Sequence, residues 1–175
     1  IYTMNDPLGE YIPEFKNMTV RRVIDGKEEI VPAKNQILIR HLFNMTAGFD
    51  YNFNTPDVNS LRFATGNKFR ALDFAKALAK SPLHFEPGER WQYSYSHDVL
   101  AAVVEVISGK KFSDYVKENI FEPLGMDSFT FERNEKIYSK MAEQYQYDYE
   151  TKTAHNVGKE NSHILGTEFE SGGAG

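Results

Sequence analysis

The sequence predicts a mainly α-helical chain with peripheral β-hairpins, and three observations carry that expectation. Apolar residues recur at helical spacing in several stretches between residues 37 and 121. Two runs rich in β-branched residues flank Asp25-Gly26, a dipeptide suited to a tight hairpin because both of its positions accept a positive φ. Further along, Tyr145, Tyr147 and Tyr149 alternate with polar residues, which is the period of a strand.

Taken in order, residues 18–23 and 28–31 are the strands of the first ribbon, expected at the surface. Residues 37–45 place Leu38, Leu42 and Met45 on one helical face, and Gly48 suits the C-terminal stop. Leu38 has no side-chain oxygen to cap that helix, a lack that costs about 0.5–2 kcal/mol, so its start should be less sharp. Residues 71–80 repeat Leu72, Ala75, Leu78 and Ala79 on one face and stop at Ser81-Pro82. Asp98 suits the cap of residues 99–107, which are apolar nearly all round except at Glu105 and should form the central, most buried helix. Ser113 suits the next cap, with Phe112, Tyr115, Val116 and Ile120 inward before Pro123 and Gly125 end that helix. Residues 143–149 then form a strand, 150–152 a turn and 153–157 a weak return.

The 175 residues suit a single domain spanning 1–175, long enough to bury a core, and 41% hydrophobic with 14% aromatic residues argues against disorder. A net charge of -5 offers no basic field for a nucleic-acid backbone, so no nucleic acid is expected as partner. With no cysteine, disulfides and thiolate metal sites are excluded, while the compartment stays open. No apolar run reaches the ~20 residues needed to span a bilayer. His41, His84, His97, His155 and His163 lack metal-ligand spacing, so no metal is expected. His41 reads as a satisfied structural histidine, and His97 as a neighbour of Tyr93.

The most informative stretch is residues 82–126, where Tyr93 and Tyr95 sit in a turn led by Pro87-Gly88 just before the most apolar helix. A phenol held at a rigid loop-to-helix junction can be screened from water and approached by a cation, which lets tyrosine transfer protons near neutral pH. Packing is the competing role for Trp91, Tyr93 and Tyr95. The surrounding order is Pro87-Gly88, Trp91, Tyr93-Ser94, Glu105, Ser108-Gly109 and then Phe121-Glu122-Pro123-Leu124-Gly125-Met126. Upstream stand Tyr11-Ile12-Pro13-Glu14-Phe15 and the run from Ile39-Arg40-His41-Leu42 to Gly48; downstream stands Ser171-Gly172-Gly173-Ala174-Gly175. Together these resemble the serine beta-lactamase-like hydrolases, the group of class C beta-lactamases, D-alanyl-D-alanine carboxypeptidases and related esterases and transesterases.

The resemblance implies the helical lobe of the α+β beta-lactamase/transpeptidase-like fold, in a segment truncated at both ends. The family's S-x-x-K nucleophile helix would precede residue 1, and its K-T-G or H-x-G strand would follow residue 175. The only S-x-x-K string, Ser108-Gly109-Lys110-Lys111, falls where the apolar helix ends and reads as a chance match. Lys152-Thr153 is followed by Ala154, so the strand motif is not matched there. The implied activity is acyl transfer through a serine ester on a small-molecule ester, beta-lactam or peptide substrate, with no cofactor. Counting from Pro87-Gly88, Tyr93 takes the catalytic place, with Tyr95-Ser96-His97 as the alternative frame. Ser94, Tyr95, Gly172 and Gly173 are the candidate substrate-binding residues. Tyr95 stands where the penicillin-hydrolysing members have asparagine, and a phenol cannot supply an amide's paired donor and acceptor. That favours the esterase and transesterase branch. The segment itself is expected to be inactive, and a catalytically silent binding or sensing module is the other class.

Overall fold

A computed structural model describes residues 2–52, 54–131, 135–158 and 169–173. After single 3-10 turns at Leu8–Glu10 and Pro13–Phe15, the chain forms β1 (Thr19–Ile24) and β2 (Lys27–Pro32), then α1 (Ile39–Phe43), α2 (Pro56–Thr65), α3 (Ala71–Leu78) and α4 (Ser96–Ser108). There follow α5 (Phe112–Val116), a π-helical turn at Lys117–Phe121, α6 (Glu135–Tyr138), β3 (Gln144–Asp148) and β4 (Thr153–Gly158). Among the described residues the architecture is thus six helices with two separate antiparallel hairpins, a mixed α+β arrangement. No helix among them is long and apolar enough to cross a membrane.

Both hairpins form where local chemistry directs. Asp25 (φ 51°) and Gly26 (φ 78°) make the turn between β1 and β2 with both central residues left-handed, as a two-residue hairpin requires. Most of this ribbon is exposed, but Val20 is buried, and β1 is tied to Leu83 by Leu83 N–H to Thr19 O (2.7 Å) and Arg21 N–H to Leu83 O (2.8 Å). In the second hairpin, Asp148 Oδ1 accepts from Glu150 N–H at 2.8 Å and shapes the turn into β4. Its tyrosines alternate as expected, yet Tyr145, Tyr147 and Tyr149 all stand in solvent.

The core gathers around α3 and α4. On α3, Ala71, Phe74, Ala75 and Leu78 form the buried stripe at the i, i+3, i+4, i+7 spacing; Leu72 and Ala79 sit at its edge rather than in it. On α4, Val99, Ala101, Ala102 and Val103 are buried, as the expected central helix requires, but Val106 and Ile107 stand exposed. Helix α4 packs against both α3 and α1. Glu105, read as the one polar break on this helix, is instead buried at 5% exposure. It accepts from Arg70 Nη2 (2.9 Å), Leu72 N–H (3.1 Å) and Phe112 N–H (3.1 Å), so it joins three elements. A buried carboxylate is tolerable when its acceptor sites are filled in this way.

Several helix ends differ from the sequence expectation. Asp98 is not the cap of α4: the helix begins at Ser96, with Tyr95 as N-cap and no capping side chain. Ser113 is not a cap either, since α5 starts at Phe112 and the Ser113 N–H donates to Glu170 Oε2 at 2.7 Å. The π-helical turn after α5 adds a residue to the cycle, which turns Phe121 inward and leaves Ile120 at 43% exposure. At α1, the Leu38 N–H donates to His41 Nδ1 at 3.2 Å, the reciprocal half of a capping box, while Leu38 itself supplies no side-chain cap. Burial holds the His41 imidazole below its ordinary pKa, favouring the neutral ring with an accepting nitrogen. Gly48 is not the stop of that helix, whose C-cap is Asn44. Its φ of 90° serves a close approach, because a Cβ there would run into the Phe85 carbonyl oxygen.

Helix α2 was not foreseen. Thr55 caps it, its Oγ1 accepting from Val58 N–H at 3.3 Å, Pro56 occupies the first turn, and Gly66 (φ 59°) ends it. Those terminal signals are legible; the missing one is periodicity, since Val58 is its only buried residue and Phe63 is 93% exposed.

Candidate active site

The turn that carries the two tyrosines is held by backbone. Running alongside the segment after α1, it donates three bonds to it: His84 N–H to Gly48 O (2.8 Å), Gly88 N–H to Thr46 O (2.8 Å) and Gln92 N–H to Met45 O (3.0 Å). Glu86 fastens it from the other side, its carboxylate accepting from Lys34 and Asn35 N–H groups and pairing with Arg22. Gly88 has φ 87°, a conformation that glycine adopts without strain, and its missing Cβ leaves space beside His41. The Pro-Gly turn thus delivers the following residues rigidly to the start of α4.

Tyr93 and Tyr95 emerge from it in opposite senses. Tyr93 is 47% exposed, whereas Tyr95 is 2% exposed and lies in the core. Tyr51 links them: its ring meets Tyr93 edge-on at 5.1 Å and stacks on Tyr95 at 4.7 Å, and Tyr95 in turn meets Phe74 edge-on at 5.1 Å. Burial pushes the Tyr95 phenol far above its ordinary pKa, with the charges of Tyr51 and Asp98 adding to the effect, so it stays protonated. Tyr51 is likewise raised, first by burial and then by Tyr93 and Asp98. Tyr51 was missed by sequence reasoning, because a tyrosine in a loop with no periodic neighbours carries no signal of what it will touch.

Ser94 is buried at 3% exposure, its Oγ 2.9 Å from Ser96 Oγ, so the Ser94 and Tyr95 side chains both face the interior. Gly172 packs on the first turn of α4, where a Cβ would strike the His97 carbonyl oxygen and stand 3.1 Å from Ala101 Cβ. Gly173 lies beside the His97 side chain. Ala174, Gly175 and His163 fall outside the described residues. Ser108 and Lys111 do not form a nucleophile pair. Ser108 ends α4, its Oγ donating to Val104 O at 2.7 Å, while Gly109 (φ 68°) breaks the helix and Lys111 pairs with Glu170. One cleft runs beside Lys34, His41 and Glu86 along the Pro87-Gly88 turn, and another lies between Lys117, Phe129 and Met141. Among the described residues, no three His, Cys, Asp or Glu side chains gather as a metal site.

Comparison with known proteins gives this geometry a lineage. The family profile named Beta-lactamase matches residues 2–163. The chain is 33% identical over 129 residues to esterase EstB of Burkholderia gladioli, an alignment that takes in 70% of this chain and 30% of EstB. Among solved structures, EstCE1, described as a hydrolase with promiscuous acyltransferase activity, superposes with a TM-score of 0.62 at 25% identity, covering 89% of this chain and 39% of that one. Simvastatin synthase (LovD) of Aspergillus terreus superposes with a TM-score of 0.68 at 23% identity, over 93% of this chain and 43% of that one, a likeness of fold. The chain therefore spans less than half the length of each of these relatives. On the profile match and the esterase relative, the chain belongs to the beta-lactamase family, whose members here include esterases and acyltransferases.

Proposed function

We propose that this chain supplies the tyrosine-bearing part of a serine hydrolase that forms an acyl-enzyme with ester or amide substrates. It is closer in kind to the esterases and transesterases than to the penicillin-hydrolysing enzymes. The observation that carries this reading is the contrast at one turn: Tyr93 is half-exposed on a backbone-fixed loop, and Tyr95 is sealed in the core. A proton-transfer group has to reach the reacting atoms, so the contrast favours Tyr93 over the alternative frame. Tyr95, in the place of the family's asparagine, presents no amide to a penicillin side chain. The esterase names of the relatives point the same way.

In this mechanism the serine and lysine come from outside the 175 residues. The serine oxygen attacks the substrate carbonyl carbon as its proton passes to the lysine and Tyr93, and backbone N–H groups hold the oxyanion. Tyr93 then hands the proton to the leaving oxygen or nitrogen as that bond breaks, leaving the serine ester. Water or an alcohol attacks the ester and regenerates the serine. Tyr51 packs against the Tyr93 ring and is itself stacked on the buried Tyr95, and Gly172 and Gly173 bring a second backbone segment to the start of the same helix. The substrate is a small ester, beta-lactam or peptide, and no step needs a cofactor.

The test is to incubate the full-length protein with p-nitrophenyl acetate and map any acyl adduct by mass spectrometry. The expected result is ester turnover with the adduct on a serine outside residues 1–175. Failure to turn over either this ester or nitrocefin would overturn the reading in favour of a catalytically silent binding module.

A further inference from the structure

Asp98 lies in the first turn of α4, three residues beyond Tyr95, and is 6% exposed. Its Oδ1 accepts from Ser171 Oγ at 2.6 Å. Ser171 Oγ accepts from Gly173 N–H at 3.1 Å, so hydroxyl and carboxylate together gather three consecutive residues. Gly172 can lie against the His97 carbonyl only because it lacks a Cβ. Burial pushes the Asp98 carboxyl up, and the Ser171 hydroxyl pulls against that. An apolar side chain could fill the same space without the desolvation cost, so a buried carboxylate at this place contributes direction rather than cohesion.

That direction matters because α4 begins without a capping side chain. Upstream, the tyrosine turn is fixed by its backbone bonds to Met45 and Thr46; downstream, the first helical turn is fixed by Asp98. We propose that Asp98 is a positioning residue for Tyr93, clasping Ser171–Gly173 onto the first turn of α4 and so fixing the backbone from which the phenol projects. The proposal rests on the reading of Tyr93 as the proton-transfer group. It requires that loosening the clasp displace the phenol rather than unfold the lobe.

The experiment measures p-nitrophenyl acetate hydrolysis by the full-length protein. A displacement near 1 Å at a reacting group costs up to about 100-fold, so Asp98→Ala should lower kcat by about 10- to 100-fold with little change in KM. Asp98→Asn keeps an acceptor for the Ser171 hydroxyl and should recover most of kcat. Ser171→Ala should lower kcat, and Asp98→Ala/Ser171→Ala should be no worse than the more damaging single change. In a Tyr93→Phe background, Asp98→Ala should add nothing further. An unchanged kcat in Asp98→Ala with only a lower Tm, or effects that add fully to Tyr93→Phe, would overturn the clasp. Should Asp98→Ala fail to fold, Ser171→Ala in the two backgrounds decides the same question. If Tyr93→Phe itself keeps full turnover, it is the reading of Tyr93 that fails; a crippled Tyr93→Phe beside a fully active Asp98→Ala sinks the clasp alone.

Discussion

Helix α4 has a catalytic-looking motif at each end, and the two ends are built for different purposes. At the C-terminal end, Ser108 Oγ bonds back to Val104 O, the Lys110 N–H donates to Ser108 Oγ, Lys110 pairs with Glu118, and Lys111 pairs with Glu170. Each of these groups serves to finish one helix and start the next. A serine and a lysine cooperate across one turn only while the helix continues, and the left-handed Gly109 ends it between them. At the N-terminal end the chain is held by its backbone and by buried carboxylates, which leaves the Tyr93 side chain at the surface. A motif acquires chemistry when other groups fix its backbone; where its own side chains do that work, it is a cap.

The largest expected effect concerns the N-terminal end. Tyr93→Phe in the full-length protein removes one hydroxyl and keeps the ring against Tyr51, so kcat for ester hydrolysis should fall by about 10²–10⁴-fold while Tm stays nearly unchanged. A Tyr95→Phe variant that is crippled while Tyr93→Phe is active would reverse the assignment of the two phenols.

Next is the middle of the helix. Glu105→Ala strands the Leu72 and Phe112 N–H groups and removes the partner of a half-exposed Arg70. An orphaned buried donor costs about 1–3 kcal/mol, so chemical denaturation should show a loss of about 3 kcal/mol. A loss below about 0.5 kcal/mol, the scale of ordinary surface changes, would mean that Glu105 does not join α3, α4 and α5 energetically.

Tyr95→Phe should be milder. It keeps the stack with Tyr51 and Phe74 and removes one buried hydroxyl, a change worth about 1 kcal/mol in stability, with turnover of an activated ester altered little. The smallest effect is expected at the C-terminal end, where Ser108→Ala should shift stability by no more than about 0.5 kcal/mol and leave ester hydrolysis intact. Turnover by the 175-residue chain alone that disappears with Ser108→Ala would revive the serine-lysine string and erase the contrast between the two ends.

Wherever a local rule decides conformation, the sequence was legible. Asp25-Gly26 dictates its hairpin because its turn needs two residues at positive φ, and the spacing of Leu72, Ala75, Leu78 and Ala79 predicts a one-sided helix, although its buried stripe runs through Phe74 rather than Leu72. Pro87-Gly88 marks the turn that presents the tyrosines. Where periodicity is faint, as in α2 with its single buried valine, the terminal signals Thr55, Pro56 and Gly66 were present but had no pattern to frame. The inward face after α5 was misread because a π-helical turn changes the count by one residue, which no propensity announces.

By itself, then, the sequence determined the hairpins, the central helix, the family likeness and the tyrosine turn, all of which follow from backbone preference and short-range spacing. Only the tertiary structure decided which of two tyrosines is buried, and that Asp98 binds Ser171 instead of capping its own helix. It also decided that Glu105 belongs to the core. These are pairings between segments far apart in the chain, and a carboxylate or a phenol carries nothing in its own neighbourhood that says which distant donor or ring will be folded against it.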